Sequence, residues 1–472
     1  MTAEELRNKI STYSQTGTLE INDVIEFDRK PINITCSILF KECTFNSNVV
    51  FSAHKSTAKL SIQNCKLKGN ITIEHSNSGD KKIVNISDIK AEKITINIIN
   101  NTNLIISLLE INVHSLNFTN NKSCLLTTNH TNDPKLTTKI KSVRFSKNYR
   151  GQYDFKSINS NSVLLVNEEE PTLTISKGNI HELILSDIKV AKIEIGSYYE
   201  KVKIYQFSAE RETFDNETKI RFQNSQISFL NLAGINNQGN IQFTNTKFEN
   251  DPSQNKNKLN LTNAFLGNTV MTNCNISVDE INLDGAYLMD LKMTGVSWPK
   301  NNSIDKDYKN RNIEKLKYLR DTYRQLKAIS LNSKDVVNSL KFKANEMNIY
   351  LFQLRQEKKW FSSDFVELFL SKWSSNFGLS IGKPLIRLLS IHFIIFFFVL
   401  LFSDYRGMTI TLNSELMSWD NFFTSCEYYG ELLIPIRKFN SDLNSIVDIL
   451  MRIDSGFFIY HIIKATRKFA KL

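Results

Sequence analysis

Between residues 259 and 298 the apolar residues fall into steps of five. Leu261, Leu266, Met271 and Ile276 form one row, and after a two-residue slip Leu283, Leu288, Met293 and Trp298 resume it. Two positions before each stands a second row, mostly small: Leu259, Ala264, Thr269 and Cys274, then Ile281, Ala286, Leu291 and Val296. Chance alignment of apolar residues in a β-rich chain is the bland alternative, but eight successive units argue for a repeat. With only 16 Gly and 7 Pro in 472 residues, collagen-like, Pro-rich and flexible Gly-rich chains are excluded. A long repeat in this chain must therefore turn its corners with Asn, Ser, Thr and Asp.

Upstream, from about residue 18 to 250, short runs alternate with period two: Leu60-Ser-Ile62, Ile71-Thr-Ile73, Ile94 to Ile98, Leu183-Ile-Leu185, Ile193-Glu-Ile195, Ile220-Arg-Phe222. Clusters of Asn, Ser, Asp and Lys separate them. A sandwich could be built from such strands, but strands recurring at short intervals without Gly-rich hairpin turns favour a β-solenoid, each coil stacked on the last.

The five-residue unit, with Leu or Met at its centre and a small residue two before, resembles the pentapeptide-repeat family. That resemblance implies a square right-handed β-helix in which each unit makes one side and points its two residues inward. Bulky and small residues must alternate to fill so narrow a tube. Only 259–298 fits this cleanly, so the upstream coils are expected to be wider and less regular.

After Trp298-Pro299 the pattern becomes helical. Ile313, Leu316, Tyr318, Leu319, Tyr323 and Leu326 mark one buried stripe; Val337, Leu340, Phe342, Met347, Leu351 and Leu354 mark a second, capped by Ser333 or Asp335. Residues 301–387 hold seventeen Lys and Arg against nine Asp and Glu, most of the chain's net +11. Lys358, Lys359, Trp360, Lys372, Trp373, Lys383 and Arg387 are the basic and aromatic residues expected at an anionic membrane surface, the alternative being an ordinary solvated helix face. Residues 385–402, LIRLLSIHFIIFFFVLLF, are long and apolar enough to span a bilayer. A second candidate, 445–463, carries Asp448, Arg452 and Asp454 and is followed by Lys464, Arg467, Lys468 and Lys471. If it spans, those ions must face a partner helix, another subunit or water, and Asp448 and Arg452, four apart, can pair. An interfacial helix is the alternative. Residues 403–444 hold six acids and three bases while both flanks are basic, which places both termini in the cytoplasm by charge.

The order Tyr323-Arg-Gln-Leu-Lys327, Lys341-Phe-Lys-Ala-Asn-Glu-Met347 with Tyr350, Ser375-Asn-Phe-Gly378, Lys383-Pro384 and Ile459 to Phe469 resembles a bacterial group of membrane-associated pentapeptide-repeat-type proteins. The terminal helix is similar in placement to the inner helix of two-helix ion channels, though no selectivity-filter sequence is present; Tyr428-Tyr429-Gly430 reads as a plain loop. The expected fold is an all-β right-handed β-helix, pentapeptide-repeat-like at its C-terminal end, followed by an α-helical hairpin and a transmembrane helical hairpin. Its parts are an N-terminal cap (1–17), the cytoplasmic β-helix (18–299), a basic helical hairpin (300–360), an interfacial amphipathic helix (361–383), a first transmembrane helix (384–403), an external loop (404–444) and a second transmembrane helix with a basic tail (445–472).

Chemistry is scarce. Gly378-Leu-Ser-Ile-Gly382 matches a hydrolase nucleophile elbow only on paper, since no strand precedes it, and a small-residue hinge is the better reading. No phosphate-binding loop, zinc-protease or calcium motif occurs, the six cysteines are scattered singly as expected of buried thiols, and no metal or cofactor is expected. Glu168, Glu169 and Glu170 read as an exposed acidic loop. His392 and His461 are the two histidines in membrane-proximal helices. An enzyme is not expected, and nor is nucleic acid as a partner.

The leading expectation is an effector at the bacterial inner membrane. Its β-helix senses or binds a cytoplasmic protein or ligand, and its C-terminal hairpin, assembled as a homo-oligomer in the lipid bilayer, forms or gates a pore, as in phage defence. Asp448, Arg452, Asp454, Gly456, Tyr460 and His461 would be the intramembrane polar residues and flex point. The rival is a membrane-tethered β-helix scaffold without pore activity.

Overall fold

A computed structural model describes the chain apart from residues 14–17, 29, 54–58, 77–81, 129–137, 190, 250–257, 300–303, 305–307, 403–418, 439–443 and 471–472. It divides into two units, Met1–Tyr308 and Lys309–Leu472.

The first unit is a β-solenoid of about eleven turns. Its strands stack in parallel, so that a residue in one coil lies over its counterpart in the next. One such column runs Ile21, Phe40, Ile62, Ile86, Leu108, Thr128, Phe155, Ile175, Ile195, Phe222, Phe243, Met271, Met293. Every member is buried. The period-two alternation puts the apolar residue of each pair inside and the polar one outside. Successive coils from Phe155 through Ile175 to Ile195 are each twenty residues long, four five-residue sides. Burying each aliphatic or aromatic side chain is worth about 1.5–3 kcal/mol, and the rings add stacking, as between Phe222 and Phe243 with centroids 4.9 Å apart.

Asparagine turns many of the corners, in the left-handed conformation it tolerates better than most residues: Asn64, Asn100, Asn120, Asn167, Asn224, Asn245, Asn263 and Asn273 all have positive φ. Gly178 has φ +141°, and a Cβ there would lie 1.8 Å from the Ile158 carbonyl oxygen of the coil below. At several corners a small inward hydroxyl or thiol binds backbone oxygen. Cys43 donates to Ile21 O at 2.9 Å, Ser225 to Ile195 O at 3.3 Å and Cys274 to Phe243 O at 3.4 Å. Cys43, Cys65, Cys124 and Cys274 are buried; Cys36 is half-buried and Cys426 exposed.

Both rows of the five-residue repeat lie inside the tube: Leu261, Leu266, Met271, Ile276, Leu283, Leu288 and Met293, with Leu259, Ala264, Thr269, Cys274, Ile281, Ala286, Leu291 and Val296. Trp298, the last of the row, is only half-buried.

A polar ladder also runs inside the wall. The Asn101 backbone N–H donates to Asn121 Oδ1 (2.9 Å), Asn121 N–H to Asn148 Oδ1 (2.8 Å), and Asn148 N–H to Glu168 Oε1 (3.0 Å). Their Nδ2 groups bond carbonyls of the preceding coils, Ile73, Ile98 and Phe118. The Tyr153 hydroxyl donates to Glu168 Oε2 at 3.0 Å. Glu168 is therefore no exposed loop residue: it has no exposed surface and ends the ladder as its shared acceptor. The run was misread because only its first member points inward, while Glu169 and Glu170 pair outside with Lys189 and Arg150.

α1 (Ala3–Thr12) lies against the first coil, burying Ala3, Leu6 and Ile10; a Thr2 and Glu5 capping box starts it, and Arg7 pairs with Asp28.

The second unit is helical: α2 (Ile313–Asn332), α3 (Val336–Gln356), α4 (Ser363–Ser375), α5 (Gly382–Phe402), α6 (Trp419–Leu432) and α7 (Ser445–Ala470). α2 and α3 form the hairpin. Asn312, Asp335 and Ser362 cap α2, α3 and α4 through side-chain oxygens. Tyr318 and Val337 are exposed, about half of each accessible, because the buried face of α2 runs through Leu316, Leu319, Tyr323 and Leu326, and that of α3 through Ser339, Phe342, Glu346 and Ile349. Glu346 is tied to Arg324 (3.2 Å) and Lys327 (2.7 Å) of α2. Part of the segment expected as an external loop is helix α6, which includes Tyr428-Tyr429-Gly430; the Tyr429 hydroxyl donates to Leu389 O of α5 at 2.6 Å.

Candidate functional site

α5 is, among the described residues, the one helix long and apolar enough to cross a membrane; over Gly382–Leu401 its mean hydropathy is 2.3 and only 28% of the stretch is buried. Ile386, Phe393, Ile394, Phe397, Phe398 and Leu401 face outward, as do Ile446, Ile449, Leu450, Ile453 and Ile463 of α7. Inside, Phe396 and Val399 pack on Leu432 and Met451. Lys383 N–H donates to the Ser380 hydroxyl at 3.3 Å, so Ser380 of the GLSIG stretch caps the start of α5 and is held in a turn.

Against this apolar background the polar groups of α7 form a seam of three separate contacts, reaching the segment before α7, α5 and α4 in turn. Asp448, with no exposed surface, accepts from Arg452 Nε (2.8 Å) and from Arg437 Nη2. Arg437 reaches in from the segment before α7 and also donates to Ile434 O at 3.0 Å; Arg452 Nη2 donates to Lys438 O at 3.0 Å. Two turns along α7, the Ser455 hydroxyl and His392 Nε2 of α5 are 2.9 Å apart, and Asp454 Oδ2 lies 3.4 Å from the same nitrogen. Further along, His461 Nδ1 is 3.2 Å from Ser375 Oγ at the end of α4, and that hydroxyl accepts from Gly378 N–H at 3.0 Å.

Of the expected polar set, the structure thus pairs Asp448 with Arg452, sets Asp454 against His392 of α5, and sets His461 apart from both, against Ser375 of α4. Tyr460 stands outside the seam, 59% exposed, with Lys464 Nζ 5.8 Å from its ring centre. α7 runs helical through Gly456, where an added Cβ would meet nothing within 4 Å. Sequence reasoning missed Arg437 and Ser455 as seam partners, because neither lies at a fixed helical spacing from its contact.

The expected surface residues are spread from the end of α3 to α7. Arg387 stacks over Trp373, its guanidinium 4.6 Å from the ring centre, and Trp373 also touches Phe458. Trp360 packs on Phe365 and under Arg355 (5.2 Å), and Lys359 pairs with Glu357 at 2.8 Å. Lys358, Lys372, Lys383 and Lys464 are exposed. Arg467 and Lys468 lie in α7, with side chains outside the described residues. No group of three or more metal-ligating side chains was found among the described residues.

Fold and seam together define a β-solenoid protein with C-terminal helices, one of them of membrane-spanning length. Comparison with protein-family models, with curated proteins and with solved structures gave no match.

Proposed function

We propose that this protein is a membrane-anchored effector of the bacterial inner membrane. In this reading the cytoplasmic solenoid is a sensor or binding module; α5 and α7 cross the bilayer as a hairpin with both termini inside, and associated copies form or gate an ion path, a role suited to phage defence. The observation that carries the reading is the seam. An anchor needs only apolar helices, and each ionisable group at membrane depth is costly, so Asp448, Arg452, Asp454 and His392 on two otherwise lipid-facing helices call for a use. In a single chain the seam is closed by its own ion pairs, as a resting gate would be.

Pairing of Asp448 with Arg437 and Arg452, and of His392 with Ser455 and Asp454 across α5 and α7, also favours a second reading, a tether whose polar groups only hold the helices in place while the solenoid displays its faces to proteins. Membrane potential and dye entry separate the two. They are measured in bacteria expressing the full chain or a truncation ending at Gly382, with and without phage challenge. Depolarisation that needs residues 383–472 is expected; a membrane-bound full chain that leaves the bilayer tight under every condition rejects the pore in favour of the tether.

A further inference from the structure

The solenoid carries a groove of about 770 Å³ along one outer corner, crossing the strands at 111–114, 138–141, 158–161, 178–181 and 202–205. These strands are stacked in parallel register, Asn112 on Lys139, Asn159 on Asn179 and Ile180 on Ile204. With the strand Lys82–Asn101, which carries Lys93, six strands at the parallel spacing of roughly 4.8 Å make a groove about 24 Å long.

Its two ends differ. One end is cationic, with Lys93, Lys139 and Lys141 beside His114, and no carboxylate is among the described residues that line the groove. The other end is aromatic: His181 and Tyr205 stand on neighbouring coils with ring centres 5.3 Å apart and planes inclined by 32°. Between them lie Asn159, Asn161 and Asn179, with Asn179 N–H donating to Asn159 Oδ1 at 3.2 Å.

We infer that this groove binds a nucleotide, its phosphates at the lysine end and its base against His181 and Tyr205. Lysine ammoniums are point donors suited to phosphate oxygens, aromatic rings supply a surface on which any base stacks, and carboxamides can bond a base edge or ribose hydroxyl. A uronate polymer would use the lysines but has no planar ring for the far end. The inference rests on the reading of the solenoid as a binding module and names the ligand class of that module.

The test is calorimetric titration of the full chain in detergent with ATP, tripolyphosphate, adenosine and an oligogalacturonate as probes. ATP is expected to bind at least tenfold more tightly than each of the other three. The double variant Lys139→Ala/Lys141→Ala should lose tenfold or more in ATP affinity, and Tyr205→Ala should bring ATP down to the tripolyphosphate level. Lys139 and Lys141 are exposed, and an unchanged circular dichroism melt shows that the variants remain folded. Absence of ATP binding, equal binding of ATP and tripolyphosphate, or tighter binding of the uronate overturns the assignment, as does a double variant with unaltered affinity. Depolarisation by the same variants, followed in parallel, distinguishes failure of the groove from failure of the membrane reading: wild-type depolarisation without nucleotide binding rejects the groove alone.

Discussion

At the scale of single residues, Glu168 is a fully buried carboxyl that accepts from the Asn148 N–H, from Asn148 Nδ2 and from the Tyr153 hydroxyl. Burial pushes its carboxyl up from 4.5 to about 7, against the hydrogen bonds from Asn148 and Tyr153 that act to lower it. The same burial and the neighbouring carboxylate raise the Tyr153 hydroxyl well above its ordinary value. Since the folded value lies above the unfolded one, the folded coil holds a proton between about pH 4.5 and 7 that the unfolded chain has released. Stability from this group is fully present below about pH 4.5 and is lost as pH rises through about 7, a change of roughly 3 kcal/mol in all. Thermal melts followed by circular dichroism should therefore show wild type gaining stability from pH 8 to pH 5.5, by about 2 kcal/mol relative to Glu168→Gln, which keeps the acceptor for Asn148 but cannot titrate. Equal pH profiles for the two proteins would contradict this account. Glu168 itself was not legible in the sequence. A glutamate in an acidic run reads as solvated, and only the coil length, which sets it over Asn148, turns it inward.

At the scale of elements, the C-terminal seam behaves as a set of coupled charges. Asp448→Asn leaves two guanidiniums without their counter-ion and is expected to destabilise the helical unit by about 3 kcal/mol or more. Replacing Asp448, Arg437 and Arg452 together by Leu removes all three charges and should restore most of that loss, read as resistance of α5 and α7 to protease in membranes. If the triple variant is folded and inserted yet no longer depolarises cells, the seam is functional; if depolarisation survives, the charges serve packing alone. Helical segments of this unit were largely visible from spacing and caps, because local chemistry sets where a helix starts and ends. Arg437 was not, since its partner depends on how a connecting segment folds back over α7. The solenoid shows the same division. The five-residue rows are legible because every unit repeats one local rule, whereas the ladder of Asn101, Asn121 and Asn148 is invisible because its members are 20 and 27 residues apart, set by coil length and insertions.

At the scale of the whole molecule, the solenoid is a one-dimensional stack in which each coil is held by its two neighbours. Long-range information is thus carried by register: a coil of irregular length, such as that between Thr128 and Phe155, must still bring both residues into the same column. The first coil has a neighbour on one side only, and α1 lies against it, with Leu6 and Ile10 buried and the Met1 amino group donating to Val24 O at 2.9 Å. Without that helix the outermost strands would offer a row of unpaired amides and carbonyls, together with apolar side chains, as a template to any strand that meets them. A chain lacking residues 1–13 is expected to pair through its uncapped end, doubling its mass in light scattering where the intact chain does not; particles of unchanged size would refute this. The short N-terminal helix is in that sense a stopper on an adhesive edge, and the length of the tube is fixed as much by what stops it as by what repeats within it.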